Sequence, residues 1–161
     1  MTPSPPLPKY SAQLDEFIRK VAQRANYFND DERALSHLRT VFRVMRNRSS
    51  FEQSLRFLEM LPVALKIIFL NDWHIAPRAP VPINSLDELA DAVRQHERNH
   101  IMRDQAEALR VLRAIFDELA SIVSYNSLHE ALGFLPVSTR SQLVSSSTAT
   151  YQYSDTCIWL S

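Results

Sequence analysis

Ala34-Leu-Ser-His-Leu-Arg-Thr-Val-Phe-Arg-Val-Met45 and Ala108-Leu-Arg-Val-Leu-Arg-Ala-Ile-Phe-Asp-Glu-Leu119 carry one pattern twice, 74 residues apart. Ala34, Leu35, Leu38, Val41, Phe42 and Met45 fall on Ala108, Leu109, Leu112, Ile115, Phe116 and Leu119. This is the three-to-four-residue recurrence of a buried helix face. The same shift sets Leu61-Pro62 over Leu135-Pro136, Phe51 over Tyr125 and Leu58 over Leu132. A shift of 72 aligns Leu14-Asp15-Glu16 and Val21 with Leu86-Asp87-Glu88 and Val93. Nearly all the matched positions are apolar. A duplicated packing unit keeps such positions, whereas a duplicated active site would keep polar ones. The sequence therefore predicts an all-α protein: eight helices as two tandem four-helix repeats packed into one compact bundle.

The segments between fit this plan. Residues 1–11 read as a Pro-rich leader and 12–73 as the first repeat. Residues 74–84, with Pro77, Pro80 and Pro82, read as a linker, 85–144 as the second repeat and 145–161 as a C-terminal tail. Leu14, Phe17, Ile18, Val21 and Ala22 form the first stripe, with its helix starting at Ser11. Asn29 with Glu32, Ser49 with Glu52 and Ser85 with Glu88 have the spacing of capping boxes, in which each side chain satisfies a free backbone N–H. Pro62 and Pro136 suit a first helical turn, where a missing N–H costs nothing. Pro62 to Leu70 is apolar nearly all round, so it is expected to be the most buried helix. Its counterpart is weaker, because Ser138, Thr139, Ser141 and Gln142 replace Ala64, Leu65, Ile67 and Ile68.

Composition narrows the function. The chain of 161 residues is 45% apolar and 22% charged, enough for one well-buried core. No run approaches the ~20 apolar residues that span a bilayer, so no membrane insertion is expected. The leader lacks an apolar stretch after a basic start and does not read as a secretory signal. Cys157 is the only cysteine, which excludes an intramolecular disulfide and fits a cytoplasmic location. Gly133 is the only glycine, which argues against phosphate-cradling loops, dinucleotide fingerprints and nucleophile elbows, so no cofactor is expected. Formal net charge is zero. Residues 1–72 carry 11 basic and 8 acidic side chains and the remainder 7 and 10, far from the basic footprint of a nucleic-acid binder.

Arg39-Thr-Val-Phe-Arg-Val-Met45, Phe57-Leu-Glu-Met-Leu-Pro62 and Trp73, with Arg110-Val-Leu-Arg-Ala-Ile-Phe116 and Ala131-Leu-Gly-Phe-Leu-Pro136 in the second half, carry a family likeness. Over roughly residues 12–145 the chain resembles the bacterial domain-of-unknown-function family twenty-two sixty-seven, a pattern of helices and Leu-Pro turns. That family usually has glycine just before the tryptophan, where this chain has Asp72. The resemblance implies an all-α fold and brings no activity and no catalytic residues.

Three features could carry chemistry or binding. His96-Glu97-Arg98-Asn99-His100 fits H-E-x-x-H, which on one helix would let His96 and His100 hold zinc while Glu97 activates water for a metal-dependent hydrolase. Its polar flanks, its place at a helix end and the lack of a third ligand favour a solvated helix end instead, with no metal. Glu97 and His100 also have the spacing of di-iron bundles, but the first repeat offers no counterpart. Arg39, Arg43 and Arg46, with Arg48 nearby, could form a basic strip for nucleic acid or an acidic protein surface. The tail carries Tyr151, Tyr153, Cys157, Ile158, Trp159 and Leu160 behind a Ser/Thr-rich spacer. It either folds back onto the bundle, over the weak eighth helix, or offers Ile158, Trp159 and Leu160 to another protein or a second copy. The sequence reading is a non-enzymatic protein-interaction or regulatory adaptor, with the hydrolase and the nucleic-acid protein as alternatives.

Overall fold

The structure, a computed structural model, describes residues 7–74 and 79–144. Eight helices follow in order: α1 (Leu7–Arg24), α2 (Asp31–Arg48), α3 (Phe51–Met60), α4 (Val63–Leu70), α5 (Leu86–His96), α6 (Gln105–Ile122), α7 (Tyr125–Ala131) and α8 (Val137–Leu143). There is no strand among the described residues.

Local chemistry sets the helix starts. The Asp30 carboxylate accepts the Arg33 N–H at 3.2 Å to open α2, and Asp104 accepts the Glu107 N–H at 2.8 Å to open α6. Ser50 caps α3 and Ser124 caps α7, while Pro62 and Pro136 precede α4 and α8 without a side-chain cap. The caps of α2, α3 and α4 thus each recur 74 residues later. Two expected caps move by one residue. Asn29 is not the cap of α2; it takes a left-handed conformation, φ 58°, and leaves capping to Asp30. The capping box of α3 is Ser50 with Gln53 rather than Ser49 with Glu52. The Ser49 hydroxyl donates instead to the Met45 carbonyl at 2.7 Å.

α1 begins at Leu7, ahead of the expected Ser11, so the end of the leader is helical. Pro8 is compatible with this because the first turn has no use for its N–H. α1 ends with Asn26 in the left-handed region (φ 62°) and the Tyr27 N–H bonded to the Ala22 carbonyl at 2.8 Å, the closing bond of a Schellman turn. α7 stops early. The Gly133 N–H donates to the Glu130 carbonyl at 3.0 Å, and a Cβ at Gly133 would approach that same oxygen within 3.0 Å.

α2 packs against α1, α3, α4, α5 and α6, and α6 against α1, α2, α5, α7 and α8. The first helix of each half therefore lies on the second helix of the other, α1 on α6 and α5 on α2, and α3 meets α7. These main pairings are unchanged when α1–α4 and α5–α8 are exchanged. The fully buried anchors are Phe42 on α2 and Phe116 on α6. Phe42 meets Phe57 and Phe69 edge-on, with ring centroids 5.8 and 5.4 Å away. The corresponding positions in the second half hold the smaller Ala131 and Leu143.

α4 is not the most buried helix. Ala64, Leu65, Ile68 and Phe69 are inside, but Val63, Ile67 and Leu70 stand about half exposed. α4 packs mainly on α1 and α2, with Phe69 also 5.3 Å from Phe57 of α3, and its opposite face is left half exposed, so uniform apolarity is no measure of enclosure.

Replacing either anchor leaves a cavity at the centre of its half. We expect Phe42→Ala and Phe116→Ala each to lower unfolding free energy by ~3–5 kcal/mol, read as a reduced midpoint in urea denaturation followed by circular dichroism.

Candidate functional site

Arg39 and Arg43 lie one turn apart on the outer face of α2, directed toward the end of α5 and the α5–α6 connection. Between these elements is a cleft of about 320 Å³. Glu32, Arg39, Arg43, His96, Arg98 and His100 rim it. Two features that the sequence offered separately, the arginine strip and the histidine motif, thus meet at one place. Arg39, Arg43 and Arg98 are exposed and form no ion pair with another described residue.

The histidine motif does not occupy one helix. α5 ends at His96, and Glu97 is its C-cap with extended backbone (φ −79°, ψ 115°). His96 Nδ1–H donates back to the Ala92 carbonyl at 3.0 Å, while His100 lies beyond the helix. Nor is Glu97 solvated as expected; it is buried. Its carboxylate accepts the Ser36 hydroxyl at 2.6 Å, the His100 N–H at 3.0 Å and the Thr40 hydroxyl. A buried carboxylate needs such donors, and α2 supplies two of them. Among the described residues no three His, Cys, Asp or Glu side chains gather as a ligand set.

Arg46 leaves the strip. It is buried, and one guanidinium nitrogen donates to the Phe69 and Asn71 carbonyls, each at 2.9 Å. Burial, then the nearby Arg43, draws its pKa below the usual arginine value. These carbonyls end α4, where backbone acceptors have no helical partner. Asp72 follows at φ 55°, a left-handed position where glycine would be unstrained. It turns the chain so that the Trp73 ring packs 5.9 Å from Phe69 and 5.7 Å from Phe51.

Behind the cleft lies a buried polar cluster that sequence reading missed. His37 Nε2–H donates to the His100 carbonyl at 2.8 Å, with Glu97 3.9 Å away. The Tyr27 ring meets His37 edge-on at 5.4 Å, and the Arg33 guanidinium covers the same tyrosine at 5.2 Å. Burial, opposed by weaker pulls from the His100 carbonyl, Glu97 and Glu107, holds the His37 pKa below its ordinary value. Burial and then Glu107 push the Tyr27 phenol up to about 12. One signal was available. His37 and Thr40 are polar where the 74-residue shift puts Val111 and Ala114.

A second cleft, about 420 Å³, opens between α1 and α6. It is lined by Arg24, Leu109, Arg110, Arg113, Ala114 and Asp117, the positions that the two shifts pair with His96, Leu35, Ser36, Arg39, Thr40 and Arg43. Here Arg24 is bound to buried Glu118 at 2.9 Å, and Arg110 donates to the Ala25 carbonyl at 2.8 Å. Asp117 stands in place of Arg43. The tail residues Ile158, Trp159 and Leu160 lie outside the described residues.

The family model described as "Uncharacterized conserved protein (DUF2267)" matches residues 14–141, and the chain belongs to that family. No curated protein matches the chain. No helix among the described residues is long and apolar enough to cross a membrane.

Two outcomes follow from this geometry. Arg46→Ala strands two carbonyls and is expected to cost ~1.5–3 kcal/mol, whereas Arg39→Ala and Arg43→Ala should stay within about 0.5 kcal/mol, all measured by urea titration. For His37 the folded pKa lies below the unfolded one, so the unfolded chain takes up the proton first as pH falls. Its contribution is complete above the unfolded value of about 6.5 and is lost as pH drops from there toward the lowered folded value. Unfolding free energy should therefore decline between pH 7 and 5, and the decline should shrink in His37→Gln.

Proposed function

We propose that this protein is a non-enzymatic interaction adaptor whose cleft between α2 and the α5–α6 connection receives an acidic segment of a protein partner. The observation that carries this reading is the pair Arg39 and Arg43, exposed, one turn apart and without an ion pair among the described residues, facing Arg98 across the cleft. Among the described residues Glu32 is the one carboxylate on the rim, because Glu97 is turned inward onto Ser36, Thr40 and the His100 N–H. Guanidinium groups held apart from any internal acid suit carboxylates, which they bind bidentately. Long-range attraction between such charges raises the rate of encounter and is weakened by salt.

A protein partner accounts for the charge pattern better than nucleic acid does. With Arg46 drawn inside, the exposed strip on α2 is short, and the chain as a whole has no net charge with which to hold a phosphate backbone. A hydrolytic role finds little support, since Glu97 is occupied by three donors and the two histidines belong to different elements.

An Asp/Glu-rich synthetic peptide titrated into the protein should bind, more weakly as salt rises. Arg39→Glu combined with Arg43→Glu should lower affinity roughly tenfold or more, in line with the loss of one to two charged contacts. Arg113→Glu, in the second cleft, should leave it unchanged. An unaltered affinity in the double variant would overturn the reading, and so would preferential binding of single-stranded nucleic acid that the same variant abolishes.

A further inference from the structure

We propose that the exposed face of α4 is the dock for the chain's own C-terminal segment, with Ile158, Trp159 and Leu160 covering Val63, Ile67 and Leu70. Those three α4 side chains are 47%, 53% and 48% exposed and sit at i, i+4 and i+7, so they form one continuous stripe. The other large exposed apolar residues, such as Phe28, Val81, Ile101 and Val137, stand on separate elements or connections. Beyond the end of the α4 stripe the Trp73 N–H returns to the Leu70 carbonyl at 3.2 Å, and the Trp73 ring backs half-exposed Phe51. An aromatic shelf of Trp73 and Phe51 thus begins three residues past Leu70.

The size of the face selects the occupant. Three half-covered side chains offer a few hundred Å², short of the ~800 Å² per partner that a stable dimer buries. That area matches a short peptide anchored by one tryptophan, which covers ~150–250 Å². Of the segments outside the described residues, 1–6 and 75–78 contribute Met1, Ile75 and Ala76, whereas 145–161 contributes Tyr151, Tyr153, Ile158, Trp159 and Leu160. Reach is sufficient. Ile158 lies fourteen positions beyond buried Val144, and at ~3.3–3.6 Å per position the chain between them extends up to about 45–50 Å. A domain of 161 residues has a radius of gyration of about 15 Å and is roughly 35–40 Å across. Ser145 to Thr150 are small and, Ala149 apart, polar, as a tether requires. A tether of this length holds the segment near millimolar effective concentration, so even a weak dock is filled.

Two measurements on the full chain test this. In Trp73→Phe, which keeps an aromatic ring on the shelf, Trp159 is the sole tryptophan. Its emission should be blue-shifted and shielded from acrylamide, independent of protein concentration, and should become solvent-like on adding Ile67→Asp while helicity is retained. Solvent-like emission at the outset, or no response to Ile67→Asp, overturns the proposal; a shift that depends on protein concentration points to a second copy and overturns it too. Because Ile67→Asp acts on the fold's own surface, the second measurement leaves the stripe intact. Cys157, the only cysteine, should form an intramolecular disulfide with Lys66→Cys roughly tenfold faster than with Asp87→Cys, the gain of a docked over a free tether. Asp87 is exposed on α5, a helix that packs on α8 at the root of the tail, so it serves as the site a free tether can also reach. Equal rates, or faster closure at Asp87→Cys, would sink the idea.

Discussion

Mutual enclosure of α2 and α6 is the constraint on which the other elements depend. Nine of the 18 residues of α2 and ten of the 18 of α6 are buried, and helices of both halves pack on each of them. α1 cannot complete the cover of α2 without also lying on α6, and α5 has the converse duty. The hydrophobic term is proportional to area removed from water, so a half alone would leave one flank of its central helix wet. Two buried carboxylates strengthen this arrangement by fixing register. Glu118 on α6 takes Arg24 from α1, and Glu97 at the end of α5 takes Ser36 and Thr40 from α2. A buried charge left unpaired is costly, so sliding either helix pair by a turn would be penalised at those points.

Related positions in the two halves have been put to different uses. Both halves open a cleft between the end of one half's first helix and the second helix of the other. In the α1–α6 cleft the charges are spent internally: Arg24 on Glu118, Arg110 on the Ala25 carbonyl, and Asp117 beside Arg113. In the α2–α5 cleft the acid is turned inward and the guanidinium groups are left outward. Similar backbone geometry thus gives one neutralised and one cationic surface, and the difference lies in a handful of side chains.

The all-α class and the main core residues were legible because apolar spacing is a direct record of burial. Phe42, Phe116, Leu38 and Leu112 lie at the centre as their periodicity requires. Hydrophobicity by itself was a poorer guide. α4 is the most apolar helix yet packs on one face, because enclosure depends on which neighbours reach a helix and not on its own composition. The caps slipped by one residue where two candidates stood side by side, Asn29 with Asp30 and Ser49 with Ser50. Choosing between such neighbours needs the φ of the turn, which spacing does not contain.

The candidate site was half legible for the same reason. Arg39 and Arg43 were visible as a strip and His96 to His100 as a motif, but no local pattern says that residues 57 to 61 positions apart share a cleft. Arg46 belongs to the strip by spacing and to the core by contact, since its side chain reaches past the helix surface to the carbonyls that end α4. Long amphipathic side chains can serve either environment. The deciding factor is a pair of backbone acceptors about two dozen residues away, at the end of α4, for which Arg46 is the donor. The cationic cleft therefore owes its shape to exceptions to the apolar pattern, where His37, Thr40 and Glu97 replace what packing alone would choose directly behind it.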